Sequence, residues 1–181
     1  MIDSLFEELR GEIHKGVSEI GHPFRFITMA TVGTSAIARL RTVVLREVTK
    51  ELRLSIYTDS RTEKINHIST NNQVSFLLYH PDKLLQLKIE GIATVVTDKN
   101  RLTSTWQTIQ PNSRNDYITN SSPGSLIKNP DQVEYIEEGN YFCIIDVLPT
   151  KIEYLKLKRP NHIRALFKKI DNSWNGKFLV P

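Results

Sequence analysis

Alternating polar and apolar residues across positions 38–96 constrain the fold more than any other feature of the chain. Alternation with a period of two is typical of strands that bury one face of a sheet. The alternating runs occupy residues 38–48, 52–58, 73–79 and 84–96. Between the second and third runs, Ile65 and Ile68 have the spacing of a short helix. The region therefore predicts antiparallel strands joined by short turns, with one helix between them.

The turn that precedes this short helix concentrates cations and hydroxyl groups. Residues 59–64 include Arg61, Thr62 and Lys64, which stand at the start of the helix. A helix N-terminus attracts anions through its unpaired N–H groups, and an arginine fork suits phosphate oxygens. Arg41, on the first of the four strands, is within reach of the same place. We expect a phosphate site here, and the alternative is an ordinary capped helix start with solvated charges.

Length and composition indicate a single domain that spans residues 1–181. No apolar run is long enough to span a bilayer, and the first residues do not begin a signal peptide, so we expect no membrane partner. The one cysteine, Cys143, lies in an apolar run and is expected to be a buried structural thiol. A lone thiol suits a reducing compartment, and we expect a cytoplasmic location.

The remaining elements complete a mainly β chain with peripheral helices. We expect an N-terminal helix within residues 1–20, ended by the segment that holds His22, and a polar loop at 112–130 begun by Pro111. Further expected helices are 101–109 and 131–138, and further strands are 24–32, 140–148, 151–158, 163–170 and 177–180, with turns at 33–35, 149–150 and 171–176. The sum is an antiparallel barrel of six to eight strands.

The distribution of charges and histidines bears on two other kinds of site, a nucleic-acid-binding surface and a metal site. The net charge is +4, with cations denser over residues 151–169. That segment keeps a nucleic-acid-binding barrel open as an alternative, although Glu153 and Asp171 flank it and no aromatic stacking pattern accompanies it. His14 and His22 have no second ligand-type residue at suitable spacing, so we expect them at the surface and expect no metal site.

Three ordered segments resemble the pyridoxamine 5′-phosphate oxidase-like family. They read Arg41-Thr42-Val43-Val44-Leu45-Arg46, then Tyr57-Thr58-Asp59-Ser60-Arg61-Thr62-Glu63-Lys64, then Gln86-Leu87-Lys88-Ile89-Glu90-Gly91. The turn at 61–64 is similar to the Arg-Ser-x-Lys turn of the family's FMN-binding branch, and Ser113-Arg114 with Pro123-Gly124 is similar to its Ser-Arg…Pro-Gly segment. The resemblance extends from about Phe26 to the last residues. It implies an FMN-binding split barrel that forms a homodimer.

The resemblance also implies a set of cofactor-binding residues. By this resemblance, the strand at 41–45 lies along the flavin, residues 57–58 line the ribityl and phosphate end, and the turn at 61–64 holds the phosphate. Gln86 corresponds to the amide that bonds the isoalloxazine ring, and Arg164 stands close to an FMN-contacting arginine. The full implied set is Arg41, Thr42, Val43, Val44, Leu45, Tyr57, Thr58, Arg61, Thr62, Lys64, Gln86 and Arg164.

Departures from the true oxidase lie in the substrate segments. Residues 106–111 lack the arginine that holds the substrate phosphate there, and Tyr154-Leu155 stands near the expected tryptophan. We therefore do not assign a vitamin B6 substrate, and no catalytic residue stands out. The candidates for substrate contact are Arg46, Trp106, Ser113, Arg114, Ser122 and His162.

The expected function is an FMN-dependent oxidation or reduction of a small molecule, with FMN at the homodimer interface. Isoalloxazine carries such chemistry, while the protein supplies position and electrostatics. One alternative is a non-catalytic split barrel that stores flavin or carries haem, with one of the five histidines as an axial ligand. The nucleic-acid-binding barrel is the other.

Overall fold

A computed structural model describes residues 1–33, 35–171 and 173–181, and in it every strand belongs to one antiparallel sheet. The strands are β1 (Phe26–Val32), β2 (Ala38–Val48), β3 (Leu54–Asp59), β4 (Gln73–His80), β5 (Leu85–Val95), β6 (Phe142–Lys156), β7 (Ile163–Ile170) and β8 (Ser173–Leu179). Their order is β3-β2-β1-β4-β5-β6-β7-β8, and a further pairing of β3 with β6 closes the first six into a barrel. The expected fold, a mainly β antiparallel split barrel, is confirmed.

The barrel closes because one face of each strand is apolar. Ile56, Leu87, Ile89 and Ile152 are completely buried, each contributed by a strand of the barrel wall. Burial of a side chain of this size stabilises the fold by about 1.5–3 kcal/mol. The alternate residues of the same strands form the outer face. A residue's place in the alternation therefore decides whether it faces the core or the outside.

In the part of the chain that the structure describes, four helices lie around the barrel: α1 (Ile2–Ser18), α2 (Glu63–Thr70), α3 (Lys99–Thr108) and α4 (Pro111–Arg114). The chain also makes 3-10 turns at Pro23–Arg25, Asn115–Tyr117 and Pro130–Gln132. Helix α1 packs Leu5, Leu9 and Ile13 into the core. Among the described residues, no helix is long and apolar enough to cross a membrane.

His22 is buried, so the expectation of a surface histidine is wrong. Its Nε2 lies 3.3 Å from Glu12 Oε2, and His80 Nε2 lies 3.9 Å from the same oxygen. Burial alone would raise the pKa of Glu12, but bonds from Lys83 and Lys15 hold it at about 2. The three ligand-type side chains are close enough to hold an ion. The two ammonium groups already exceed the charge of the carboxylate, so we interpret the cluster as a structural attachment of α1.

Several expected boundaries are wrong for identifiable reasons. Residues 140–148 and 151–158 were expected to form two strands, but β6 is continuous because Pro149 pairs opposite Gly91 at a register shift. Pro111 does not open the loop; it stands at the first position of α4, where proline is favoured.

Two expected elements of the C-terminal half differ from those that the structure shows. Of the helix expected at 131–138, only the 3-10 turn at Pro130–Gln132 forms, and Tyr135 instead makes a bridge to Thr119. Positions 173–176 of the expected turn at 171–176 belong to β8, which also contains positions 177–179 of the strand expected at 177–180. Thr34 and Asn172, which fall in the turns expected at 33–35 and 171–176, lie outside the described residues.

Candidate functional site

An open cavity of about 590 Å³ lies where β3 ends and α2 begins. Its lining includes Arg41 from β2 and the start of α2, and residues 122–125 of the polar loop form its other wall. The structure thus brings together Arg41, Arg61, Thr62 and Lys64, the four residues that the sequence placed around a phosphate.

Thr62 shapes the start of α2. It is the N-cap residue, but its side chain makes no capping bond; its hydroxyl donates instead to Asp59 O at 2.8 Å. The N–H groups of the first helical turn are therefore left without a side-chain cap and stand at the positive end of the helix dipole. This arrangement favours an anion at the cavity.

Arg41 and Lys64 are the cations that distinguish this cavity. Lys64 Nζ donates to Thr58 Oγ1 at 2.8 Å and to Thr62 Oγ1 at 3.2 Å, and Arg41 Nη1 donates to Thr31 Oγ1 at 2.7 Å. Burial lowers the pKa of both side chains, and the charge of Arg41 lowers that of Lys64 further. Among the described residues neither cation forms a salt bridge, although Glu63 lines the same cavity and its charge raises the pKa of Arg41, as that of Asp59 raises the pKa of Lys64. Two half-buried cations that form no salt bridge favour an anion at the cavity.

Arg61 lines the cavity but is bonded in a different way. Its Nη2 pairs with Asp59 Oδ2 at 2.7 Å, its Nε donates to Asp59 Oδ1 at 3.1 Å, and further bonds reach the carbonyls of Thr119 and Asn120. The guanidinium also lies 3.4 Å above the centre of the Tyr141 ring. These contacts attach the polar loop to the end of β3. The role of Arg61 as a phosphate ligand stays a prediction.

The neighbouring residues of the implied set contribute unequally to the cavity. Thr58 is buried and accepts from Lys64, while Leu45 is completely buried in the core. The Tyr57 side chain turns away, because its hydroxyl donates to Glu47 Oε1 at 2.8 Å and its ring packs against Phe142. Thr42, Val43 and Val44 continue β2, with Thr42 exposed and Val43 packed against the core.

Gln86 and Arg164 lie on the outer face of the sheet, away from this cavity. Leu85 and Leu87 are completely buried, so Gln86 between them points outward. Gln86 and Arg164 both pair with Leu155, and Arg164 donates to Glu153 Oε1 at 2.8 Å. Arg41 is on the core side at the end of the barrel, where it bonds the buried Thr31. One chain therefore does not bring Gln86 and Arg41 to the same ligand.

The weaker substrate candidates are mostly structural. Trp106 packs against Tyr117 and Phe142, and Arg114 lies 5.2 Å above the Trp106 ring centre and donates to Ile109 O. His162 is exposed and accepts the N–H of Lys158. Ser113 is half-buried and Ser122 lines the cavity, whereas the buried Nε of Arg46 has no hydrogen-bond partner among the described residues.

The alternatives to a flavin gain little from the geometry. Three cations of the 151–169 segment are paired with carboxylates: Lys151 with Glu90, Lys156 with Glu8 and Arg164 with Glu153. This pairing weakens the nucleic-acid interpretation. His22, His67 and His80 are each less than a tenth exposed, and none of the three lines this cavity, which gives no support to a haem bound there.

Sequence reasoning missed Thr31 and His67. Thr31 Oγ1 lies 3.0 Å from His67 Nδ1 and accepts the bond from Arg41. The sequence did contain a signal for Thr31, because every second residue of β1 faces inward. Ile27, Met29 and Thr31 share that inward face, and Thr31 is the polar one of the three. A buried hydroxyl on an apolar face requires a partner.

Comparison with known proteins agrees with this architecture. A pyridoxamine 5′-phosphate oxidase-related, FMN-binding protein from Nostoc punctiforme PCC 73102 is 20% identical, with a TM-score of 0.80 over 97% of this chain and 96% of that one. PhzG from Burkholderia lata 383, solved with tetrahydrophenazine-1-carboxylic acid, is 14% identical, with a TM-score of 0.77 over 98% and 91%. General Stress Protein 26 from Bacillus anthracis is 18% identical, with a TM-score of 0.54 over 87% and 98%. A search of curated protein sequences found no match.

Fold and cavity together describe a split-barrel protein with a cation-lined cavity at one helix start. The sequence profile described as "Pyridoxamine 5'-phosphate oxidase, FMN-binding domain" matches residues 7–97. The chain belongs to this pyridoxamine 5′-phosphate oxidase family. FMN is the cofactor of the matched domain, as the sequence predicted.

Proposed function

We propose that this protein is an FMN-dependent oxidoreductase that acts on a small molecule and binds its cofactor at a homodimer interface. The observation that carries the proposal is the pair Arg41 and Lys64, two half-buried cations that form no salt bridge among the described residues. A phosphate monoester carries about −1.5 to −2 charges at neutral pH, which matches the two charges of this pair, although the exposed Glu63 in the same lining offsets part of them.

The residues that would hold the phosphate are Arg41, Lys64 and the uncapped start of α2 at Thr62. Their donors suit a terminal phosphate rather than a neutral ring. Lys64 is held by Thr58 and Thr62, which orients its ammonium group toward the cavity without neutralising it. When bound, the isoalloxazine supplies the hydride or electron transfer. The chain's own contribution is to bind, orient and partly shield the cofactor.

The outer face of the sheet supports the homodimer. Phe26, Leu40, Leu77 and Tyr79 stand on this face across β2, β1 and β4, and each is between 41% and 69% exposed. A contiguous apolar surface of this kind indicates a protein interface. A second copy is the partner that fits, because Gln86 and Arg164 continue the same face. In an isologous dimer they would complete the site of the other copy.

For the substrate, we propose a class of compounds to screen first. PhzG, solved with tetrahydrophenazine-1-carboxylic acid, suggests reduced polycyclic aromatic acids as the first class to screen. Oxidation of pyridoxamine 5′-phosphate is not expected, because residues 106–111 contain no arginine. Cys143 is buried and free, which agrees with a reducing compartment, and a cytoplasmic location stays a prediction.

Cofactor binding tests the proposal without knowledge of the substrate. Arg41→Ala combined with Lys64→Ala should weaken FMN binding by at least a hundredfold, since each lost charge-assisted contact costs about 1.5–3 kcal/mol. Riboflavin, which lacks the phosphate, should bind the wild type weakly and the double variant equally weakly. Lys99→Ala, an exposed cation on α3, is the matched control and should leave FMN binding unchanged. Equal FMN affinity in the double variant and the wild type would contradict the phosphate assignment.

A further inference from the structure

We propose that Thr31 and His67 are positioning residues that hold Arg41 for a phosphate and so set the preference for FMN over riboflavin. The inference rests on the proposed function, since it takes Arg41 as a phosphate ligand. Thr31 is 1% exposed and His67 is 8% exposed, so both lie behind Arg41 rather than in the open cavity. They act on the phosphate only through the guanidinium.

The hydrogen bonds run in one direction. Arg41 has only donors, so the 2.7 Å contact from its Nη1 makes Thr31 Oγ1 the acceptor. The Thr31 hydroxyl keeps one proton to donate, and His67 Nδ1 lies 3.0 Å away. We assign Thr31 as the donor to His67, which makes Nδ1 the acceptor and places the imidazole proton on Nε2. Thr31 Oγ1 then accepts from Arg41 and donates to His67, and we call this chain of two hydrogen bonds the relay.

The relay orients Arg41 without neutralising its charge. Arg61 provides the contrast within the same cavity, because its guanidinium is paired with the Asp59 carboxylate. A carboxylate fixes an arginine and also cancels its attraction for an anion, whereas a hydroxyl fixes it and leaves the full charge. Holding a long side chain in its binding geometry beforehand reduces the entropy lost when the ligand binds.

The chemistry predicts a selective effect on the phosphate ligand. Thr31→Val keeps the shape of the side chain but removes the relay, so FMN should bind about tenfold more weakly. Riboflavin affinity should not change, because it has no phosphate for Arg41 to meet. Thr31→Ser, which restores a hydroxyl, should return FMN affinity to within about twofold of the wild type. A purely structural role for Thr31 would weaken both flavins together.

The decisive experiment measures FMN and riboflavin dissociation constants by flavin fluorescence quenching on the full chain. The variants are Thr31→Val, Thr31→Ser and Arg41→Ala, alone and combined. If Thr31 acts through Arg41, Thr31→Val causes no further loss in the Arg41→Ala background. Thr103→Val, an exposed threonine on α3, controls for the substitution itself.

Substitutions of His67 test whether its role is to provide a hydrogen-bond acceptor for the Thr31 hydroxyl. His67→Asn places an acceptor near the position of Nδ1 and should preserve FMN affinity, while His67→Leu should lower it as Thr31→Val does. If Arg41→Ala weakens FMN binding but Thr31→Val and His67→Leu do not, the relay is wrong and the proposed function stands. If Arg41→Ala itself leaves FMN affinity unchanged, the proposed function fails and the relay fails with it. Thermal melting of each apo variant verifies that it folds.

Discussion

Arg61→Gln separates a structural role for this arginine from a role in phosphate binding. The substitution leaves Asp59 as a carboxylate that is 2% exposed and has lost its ion-pair partner, while Arg61 itself is 20% exposed. Bonds to Thr119 and Asn120 disappear as well. Leaving one member of such a pair unpaired costs about 2 kcal/mol when the other partner is partly solvated.

For a chain of this length, about 2 kcal/mol lowers the melting temperature by roughly 4–8 °C. The assay is differential scanning calorimetry of the apo protein, with Arg159→Gln, an exposed arginine, as the matched control. Asp59→Asn combined with Arg61→Gln should be less destabilising than Arg61→Gln alone, because no unpaired carboxylate remains. An unchanged melting temperature, together with a large loss of FMN affinity, would refute this reasoning and identify Arg61 as a phosphate ligand.

Two further predictions concern the barrel and its outer face. Burial alone would raise the pKa of Asp146, but hydrogen bonds from Arg101 and Ser55 hold that pKa below its usual range. The ionised Asp146 therefore stabilises the fold above pH ~4, and this stabilisation is lost as the pH falls through the lowered pKa. Arg101→Met should therefore lower the free energy of unfolding, measured in urea, by about 1–2 kcal/mol at pH 7 and by less at pH 3. A difference in stability between the variant and the wild type that is the same at both pH values would contradict this prediction. Leu77→Glu places a charge on the outer apolar face at a side chain that is 41% exposed, so light scattering should find a monomer with a nearly normal fold. A dimer that persists in this variant would exclude this face as the interface.

Local sequence patterns predicted much of the barrel. The bounds expected for β2 and β7, residues 38–48 and 163–170, agree with the structure. β8 was missed at its start because Ser173 and Gly176 are typical of turns. Gly176 is explained by packing from distant parts of the chain, since a Cβ there would lie 2.6 Å from Ile2 and 2.7 Å from Phe167. No local pattern contains that information.

The candidate site was predictable where its residues are close in sequence. The turn at 61–64 carried a visible signal of cations and hydroxyls, and the structure places it in the cavity with Arg41. The attachment of Arg61 to Thr119 and the contact of Thr31 with His67 join residues 58 and 36 positions apart, so neither could be inferred from spacing. The outward direction of Gln86 was available from the alternation of Leu85 and Leu87, and it is what makes a second copy necessary to the proposed site.

The visible absorbance spectrum of the purified protein, with the released chromophore identified by mass, tests the central claim most directly. We expect the bands of oxidised flavin, a released mass equal to that of FMN, and loss of colour in the Arg41→Ala and Lys64→Ala double variant. A colourless protein that also fails to take up added FMN would contradict it. Release of haem in place of a flavin would contradict it equally.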